Sequence, residues 1–394
     1  MNKLLRFKNH GSALVLTMLV VVILLSMGMG LLRLGLNSRI YSIRDASDIT
    51  ARCAADAGLT KALFEMNRKL QVQPWNDSEL PLGTDISLPN CDAAFSYAVT
   101  SGIGGYTIQS TGTSDQAVRT ISCTLQLEGP FEAAIFTKEY LYMKSGGKVD
   151  WHNFDADDGN LQIGTNNTLT DSIVLQNNST VNGDVVVGLG GNPDDVILNN
   201  GATITGSTAT LTQIVDMPSV TVPETLETSP SLGIIKDNTT ITSSGKYDDI
   251  NLQGGKTVTI DGDVTLYITG DISLGNSAEF KIEQDASLTL YLGGDFEGKN
   301  SSSVNNNTQD PGKLTIYGLD SCQCMVFKNS SNFYGAIYAP NADVIMQNSG
   351  DVYGAVTAES FEQKNSATFH YDASLRDVST SDELVRFTIS NWQE

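Results

Sequence analysis

The chain has little with which to do covalent chemistry. Only three histidines occur in 394 residues, His10, His152 and His370, and they are scattered. No Ser/His/Asp set, phosphate-binding loop or zinc-ligand spacing is visible, so the constellations needed for nucleophilic or metal-assisted catalysis are absent from the sequence. The five cysteines are too few for a disulfide scaffold. Cys91 and Cys123 bracket one segment and could pair, whereas Cys322 and Cys324 are too close for an easy bridge. Positive charge is also short. The formal net charge of −21 repels nucleic acid and anionic headgroups and keeps a large domain soluble.

What is present is concentrated first at the N-terminus. Lys3, Arg6 and Lys8 precede Gly11, and an uncharged apolar run extends from Ser12 to Leu32 before Arg33. As a helix this run is roughly 31 Å long at about 1.5 Å per residue, the thickness of a bilayer core. The small residues Gly11-Ser12-Ala13 lie before the apolar run, the reverse of a secretory signal, so a cut there leaves the helix on the mature chain. The basic head favours a cytoplasmic N-terminus and a large domain outside the cytoplasmic membrane.

Arg6 to Gly11 followed by Ser12-Ala13-Leu14-Val15-Leu16 resembles a type IV prepilin leader and helix start. The resemblance implies cleavage by prepilin peptidase between Gly11 and Ser12, methylation of the new N-terminus, and packing of the helix against other pilins or pseudopilins. Major pilins carry a glutamate five residues after the cut, where this chain has Leu16. That departure is similar to PilX-type minor pilins. Ala51-Arg52-Cys53-Ala54-Ala55-Asp56-Ala57-Gly58-Leu59 resembles a second segment of the same proteins, so Ala54, Ala55, Asp56, Ala57 and Gly58 are candidate family positions. An ordinary signal anchor followed by an unrelated helix is the plain alternative.

The helical pattern runs on to Leu70, with Ile49, Cys53, Leu59, Leu63 and Met66 at helical spacing. Pro74, Pro81 and Pro89 mark a linker, and the alternating runs Phe95–Thr100, Tyr106–Ser110 and Val118–Leu127 read as a small antiparallel sheet. Beyond about residue 140 a frame recurs: polar-Asn-small-x-x-apolar-x-Gly. Its asparagines are Asn177, Asn200, Asn329, Asn348 and Asn365, and its glycines Gly183, Gly206, Gly335 and Gly354. The apolar members Val181, Ile204, Phe333, Val352 and Phe369 would stack inward, with the asparagines left-handed at turns. This predicts a right-handed β-solenoid of roughly 10–12 turns of about 20 residues. A β-sandwich gives similar strand spacing but not the frame. The stretch Ser321–Leu375, with Tyr334-Gly335-Ala336-Ile337-Tyr338-Ala339-Pro340-Asn341-Ala342, resembles a domain often attached to PilX-like N-termini.

The expected fold is therefore α+β overall: leader 1–11, membrane and pilin-like helix 12–70, linker and sheet 71–130, β-solenoid 131–378, and a C-terminal strand or tail 379–394. The expected function is structural and not enzymatic: a minor pilin or pseudopilin-like protein displaying its solenoid at the pilus or cell surface for adhesion or assembly. Partners would be prepilin peptidase, other pilins, the membrane through one span, and surface proteins or glycans. Two rivals remain: a membrane-anchored adhesin outside any filament, and a tethered polysaccharide-active enzyme using Asp261, Asp263 and Asp271. No cofactor is expected. Asp155–Asn160 resembles the first half of a calcium loop, but the twelfth position is Asn166 where a calcium loop has Glu, so an acidic, solvated turn is expected there with calcium as the alternative.

Overall fold

The computed structural model describes residues 12–102, 105–153, 159–299, 301–328, 331–347, 350–364 and 366–393. The chain divides into two compact units: residues up to Gln126 together with Phe387–Glu394, and Leu127–Arg386.

The first unit is one long helix on an antiparallel sheet. Helix α1, Ser12–Leu70, contains no proline and ends on Arg68 and Lys69, which suit the negative end of its dipole. Strands β1 (Leu82–Ser87), β2 (Ala93–Gly102), β3 (Gly105–Ser114) and β4 (Ala117–Glu128) lie in sequential order, and the C-terminal strand Arg386–Gln393 follows β4 as the fifth strand. Alternation puts Phe95, Tyr97, Val99, Ile108, Ile121, Cys123 and Leu125 on the buried face. The helix meets that face through Ala51, Ala54, Ala55, Leu59, Ala62, Met66 and Leu70. Ile49 and Cys53 were expected on the packed stripe and are exposed. Small residues take their place because the backbones approach closely there. Cys91 and Cys123, which could have paired, are both free, one exposed and one buried in the β4 row.

The second unit is a stack of parallel strands. One ladder runs, in register, through Gly245, Leu266, Leu290, Ile316, Ile337, Val356, Ile135, Ile163, Val185 and Thr208. A second runs through Ile250, Ile272, Phe296, Met325, Val344, Phe361, Leu141, Ile173 and Ile197. The aliphatic and aromatic members form one continuous core, each fully buried side chain stabilising by about 1.5–3 kcal/mol.

The order of the levels is not the order of the chain. Residues 131–210 start in the middle of the stack and climb to one end. Residues 235–372 start at the other end and climb until Val356 pairs with Ile135 and Phe369 with Val149. The connection, residues 211–234, returns along the outside. It hydrogen-bonds in turn to Asn166 through Val215, to the Tyr338 hydroxyl through the Pro218 carbonyl, and to Lys246 through the Glu227 carbonyl. Tyr267, Tyr291, Tyr317 and Tyr338 stand in register on neighbouring strands of the first ladder, where Pro218 of the connection meets Tyr338 and Glu383 of the C-terminal segment meets Tyr291. This unit is a stack with its two halves exchanged in chain order.

Candidate functional site

Two features stand out: the exposed part of α1 and the faces of the stack. Large apolar side chains from Leu14 to Ile49, Leu16 among them, are exposed, whereas the helix from Ala51 onward is buried on one side. By length and composition the first part is able to cross a membrane. Gly11 lies outside the described residues, and Ser12 is the first residue of the helix.

The Ala54–Gly58 segment is where helix and sheet backbones nearly touch. A Cβ on Gly112 of β3 would lie 2.0 Å from the Ala51 carbonyl oxygen and 2.4 Å from the Ala55 nitrogen. A Cβ on Gly58 would lie 2.3 Å from Ser110 Oγ and 2.8 Å from the Phe95 ring. The Ser110 hydroxyl donates to the Ala55 carbonyl at 2.7 Å, tying sheet to helix inside the core. Asp56 keeps one carboxylate oxygen enclosed with no hydrogen bond among the described residues. Such an oxygen is costly unless a partner outside this chain reaches it.

In the second unit the sequence frame becomes a physical column. Phe333, Val352, Phe369, Val149, Val181 and Ile204 pair in that order. Val149 is the member the frame missed, since no Asn-to-Gly pattern flanks it. The glycines allow close stacking: a Cβ on Gly206 would lie 2.6 Å from the Gly183 carbonyl, and Gly354 adopts φ +143° over Gly335. Asn200 donates to Gln176 at 3.4 Å. The left-handed residues are Asn178 and Gly201, one position after Asn177 and Asn200. The turn needs positive φ at its second residue, leaving the preceding Asn to bond across levels. Asn329, Asn348 and Asn365 lie outside the described residues, as does most of Asp155–Asn160.

Of the carboxylates named for the enzyme alternative, Asp263 and Asp271 make hydrogen bonds between levels. Asp249 Oδ1 accepts from the Asp271 N–H, Asp271 Oδ1 from the Asp295 N–H, and Asp295 Oδ1 from Gln323 and Cys324, each at 2.9 Å. Asp263 takes the Ser287 hydroxyl at 2.5 Å. Asp184 does the same for Ser207, whose N–H and hydroxyl hold it below the usual carboxylate range. Each level thus caps the next. His370 sits 2.6 Å from Asp150 and stacks on Tyr353, which stacks on Tyr334. No group of three metal-ligating side chains occurs among the described residues.

A cavity of about 260 Å³ lies under the start of the 211–234 connection, with Phe136, Met217 and Tyr338 in its wall. Glu132 also lines it, and burial pushes its carboxyl up. Sequence reasoning missed this place because the connection carries no periodic signal.

A family model described as a domain of unknown function (DUF7305) matches residues 213–378. That stretch covers the outer connection and the levels that follow it, and leaves out α1 and the levels of residues 131–210. No curated protein matches the chain. Among solved structures, the competence-associated pilin ComZ from Thermus thermophilus aligns over 88% of this chain and 97% of its own, at 11% identity and a TM-score of 0.26. A score that low carries no argument about fold or function. The DUF7305 match spans less than half of the chain and describes a domain of unknown function.

Proposed function

We propose that this chain is a PilX-like minor pilin or pseudopilin-like structural protein that carries a right-handed β-solenoid outside the cytoplasmic membrane. The observation that carries the reading is the division of α1. Its lower part is buried on the sheet through the Ala54–Gly58 segment, while its upper part presents apolar residues all round. A helix apolar on every side belongs in lipid or in a bundle of similar helices. The lower part then serves as the rigid base from which the span projects.

In this reading prepilin peptidase cuts between Gly11 and Ser12, and the helix passes from the membrane into a filament of other pilins. Leu16 in place of glutamate suits a subunit with none beyond it to pair with, such as one at a tip. The parallel register of the second unit supports the solenoid, whose acidic, Asn-rich faces would meet surface proteins or glycans. The capping roles of Asp263 and Asp271 weigh against the polysaccharide-active alternative.

The test is the mature N-terminus. Full-length protein is expressed with and without its host's prepilin peptidase and analysed by intact and peptide mass spectrometry. A peptidase-dependent product beginning at Ser12, methylated or not, is the expected result. A chain that keeps Met1 removes the pilin assignment and leaves an anchored solenoid as the better account, and one cut beyond Leu32 leaves a released solenoid.

A further inference from the structure

The second unit is inserted, in chain order, between two strands of the first unit's sheet. β4 leads out of the first unit, and the strand that lies beside it, Arg386–Gln393, is not reached until about 260 residues later. Completing the sheet therefore requires the two ends of a very long segment to meet. If that segment were a flexible loop, its ends would meet on the order of 10³-fold less readily than those of a tight turn. In the folded second unit its two ends are held together: the Tyr371 hydroxyl donates to the Phe131 carbonyl at 2.6 Å and the Arg376 guanidinium to the Glu132 carbonyl at 2.9 Å.

The C-terminal strand is built into the first unit with care. Phe387 is 2% exposed and packs against the rings of Trp75 and Tyr106, at 5.6 and 5.1 Å between centroids. The Asn67 side chain on α1 grips the Phe387 backbone twice, accepting from its N–H at 2.7 Å and donating to its carbonyl at 3.1 Å. Farther along, the Ser390 hydroxyl donates to the Thr124 carbonyl on β4. Without this strand Asn67 loses both hydrogen bonds to Phe387, and Trp75 and Tyr106 lose the Phe387 ring while keeping each other and Asp77. β4 would become an open edge, the kind that invites wrong pairing.

The geometry points to a folding latch: the stacked unit, by folding, delivers Phe387 and its strand to α1 and β4, so the helix unit is complete only when the stack is complete. A chain with an unfinished stack would then present an unfinished helix unit and an open sheet edge. The inference does not depend on the pilin assignment, because it uses only chain order and the contacts of Phe387.

The experiment is hydrogen exchange followed by mass spectrometry on the full-length protein in detergent. Phe361→Asp puts a charge in the middle of a core ladder and opens the stack; Phe361→Ala serves if the first variant aggregates. The expected result is at least 10²-fold faster exchange in residues 51–70 and in β4 alongside loss of protection in the stack. Retained protection of those segments, with the stack open, overturns the latch. Phe387→Ala and Asn67→Ala should speed exchange in the same segments while the stack keeps its protection, and an unchanged helix unit counts against the proposal.

A disulfide between Glu128→Cys and Arg386→Cys, with Cys53 and Cys91 replaced by Ser, separates end-holding from other coupling. It should restore protection of residues 51–70 in the Phe361→Asp chain when oxidised and not when reduced. Failure to restore it would mean that holding the ends together is not what the stack contributes.

Discussion

The helix–sheet unit and the stacked unit satisfy the same demand, burial of backbone without orphaned polar groups, with opposite residue chemistry. Where α1 crosses β3, the fit depends on side chains that are missing: Gly112, Gly58 and the alanines let one backbone rest on another. In the stack the fit depends on side chains that repeat, with Ile, Leu, Val and Phe falling on their equivalents level after level. A close crossing is a single point with no redundancy. A ladder spreads its stabilisation over many neighbours, each level answering mainly to the ones above and below. The difference teaches that the two units fail in opposite ways: the crossing when atoms are added to it, the ladder when atoms are taken away.

The largest effect should come from the ladder. Phe361 is fully buried between Val344 and Leu141, with Phe369 edge-on at 5.9 Å, so Phe361→Ala should cost about 3–5 kcal/mol of stability. Denaturant unfolding measures it, and a loss well below that range would mean that the levels repack more freely than a close-packed core permits. Gly112→Val comes next. Its side chain meets helix backbone, not the end of a flexible chain, and the expected loss is about 1–3 kcal/mol. Exchange should quicken over residues 51–58 and leave the stack untouched; an unaltered helix would break the close-crossing account.

The smallest effect is electrostatic and belongs to the stack alone. Because hydrogen bonds from Ser207 depress the Asp184 carboxyl, the stability they supply is present above about pH 4 and is lost as pH falls through the depressed value. Asp184→Asn should flatten that part of the acid-unfolding profile. An unchanged profile would show that this cap between levels does not titrate with folding.

Much of this was legible before the structure. Period-two alternation marked β2, β3 and β4, and the Asn-to-Gly frame picked five members of one physical column. Val149 escaped because its neighbours Lys148 and Asp150 answer to an ion pair and a histidine instead of a turn. On α1, Leu59 and Met66 do lie in the packed stripe, and only its beginning at Ile49 and Cys53 was misplaced, for a similar reason. Pattern reading favours large apolar residues such as Ile49, whereas close backbone approach selects Ala51, Ala54 and Ala55.

The exchanged order of the stack left no trace in the chain. Parallel strands offer the same ladder hydrogen bonds to any equivalent neighbour, so a level at Val356 is as well suited to Ile135 as to any other level of like shape. The same holds for the last strand, whose Phe387 finds its pocket only once Trp75, Tyr106 and Asn67 have been assembled. By itself the sequence determined a long apolar helix, an alternating sheet and a set of stackable turns, because these follow from local periodicity and side-chain size. Tertiary structure alone decided which turn lies on which and which strand closes the sheet, because those choices rest on surfaces that exist only after distant segments have packed.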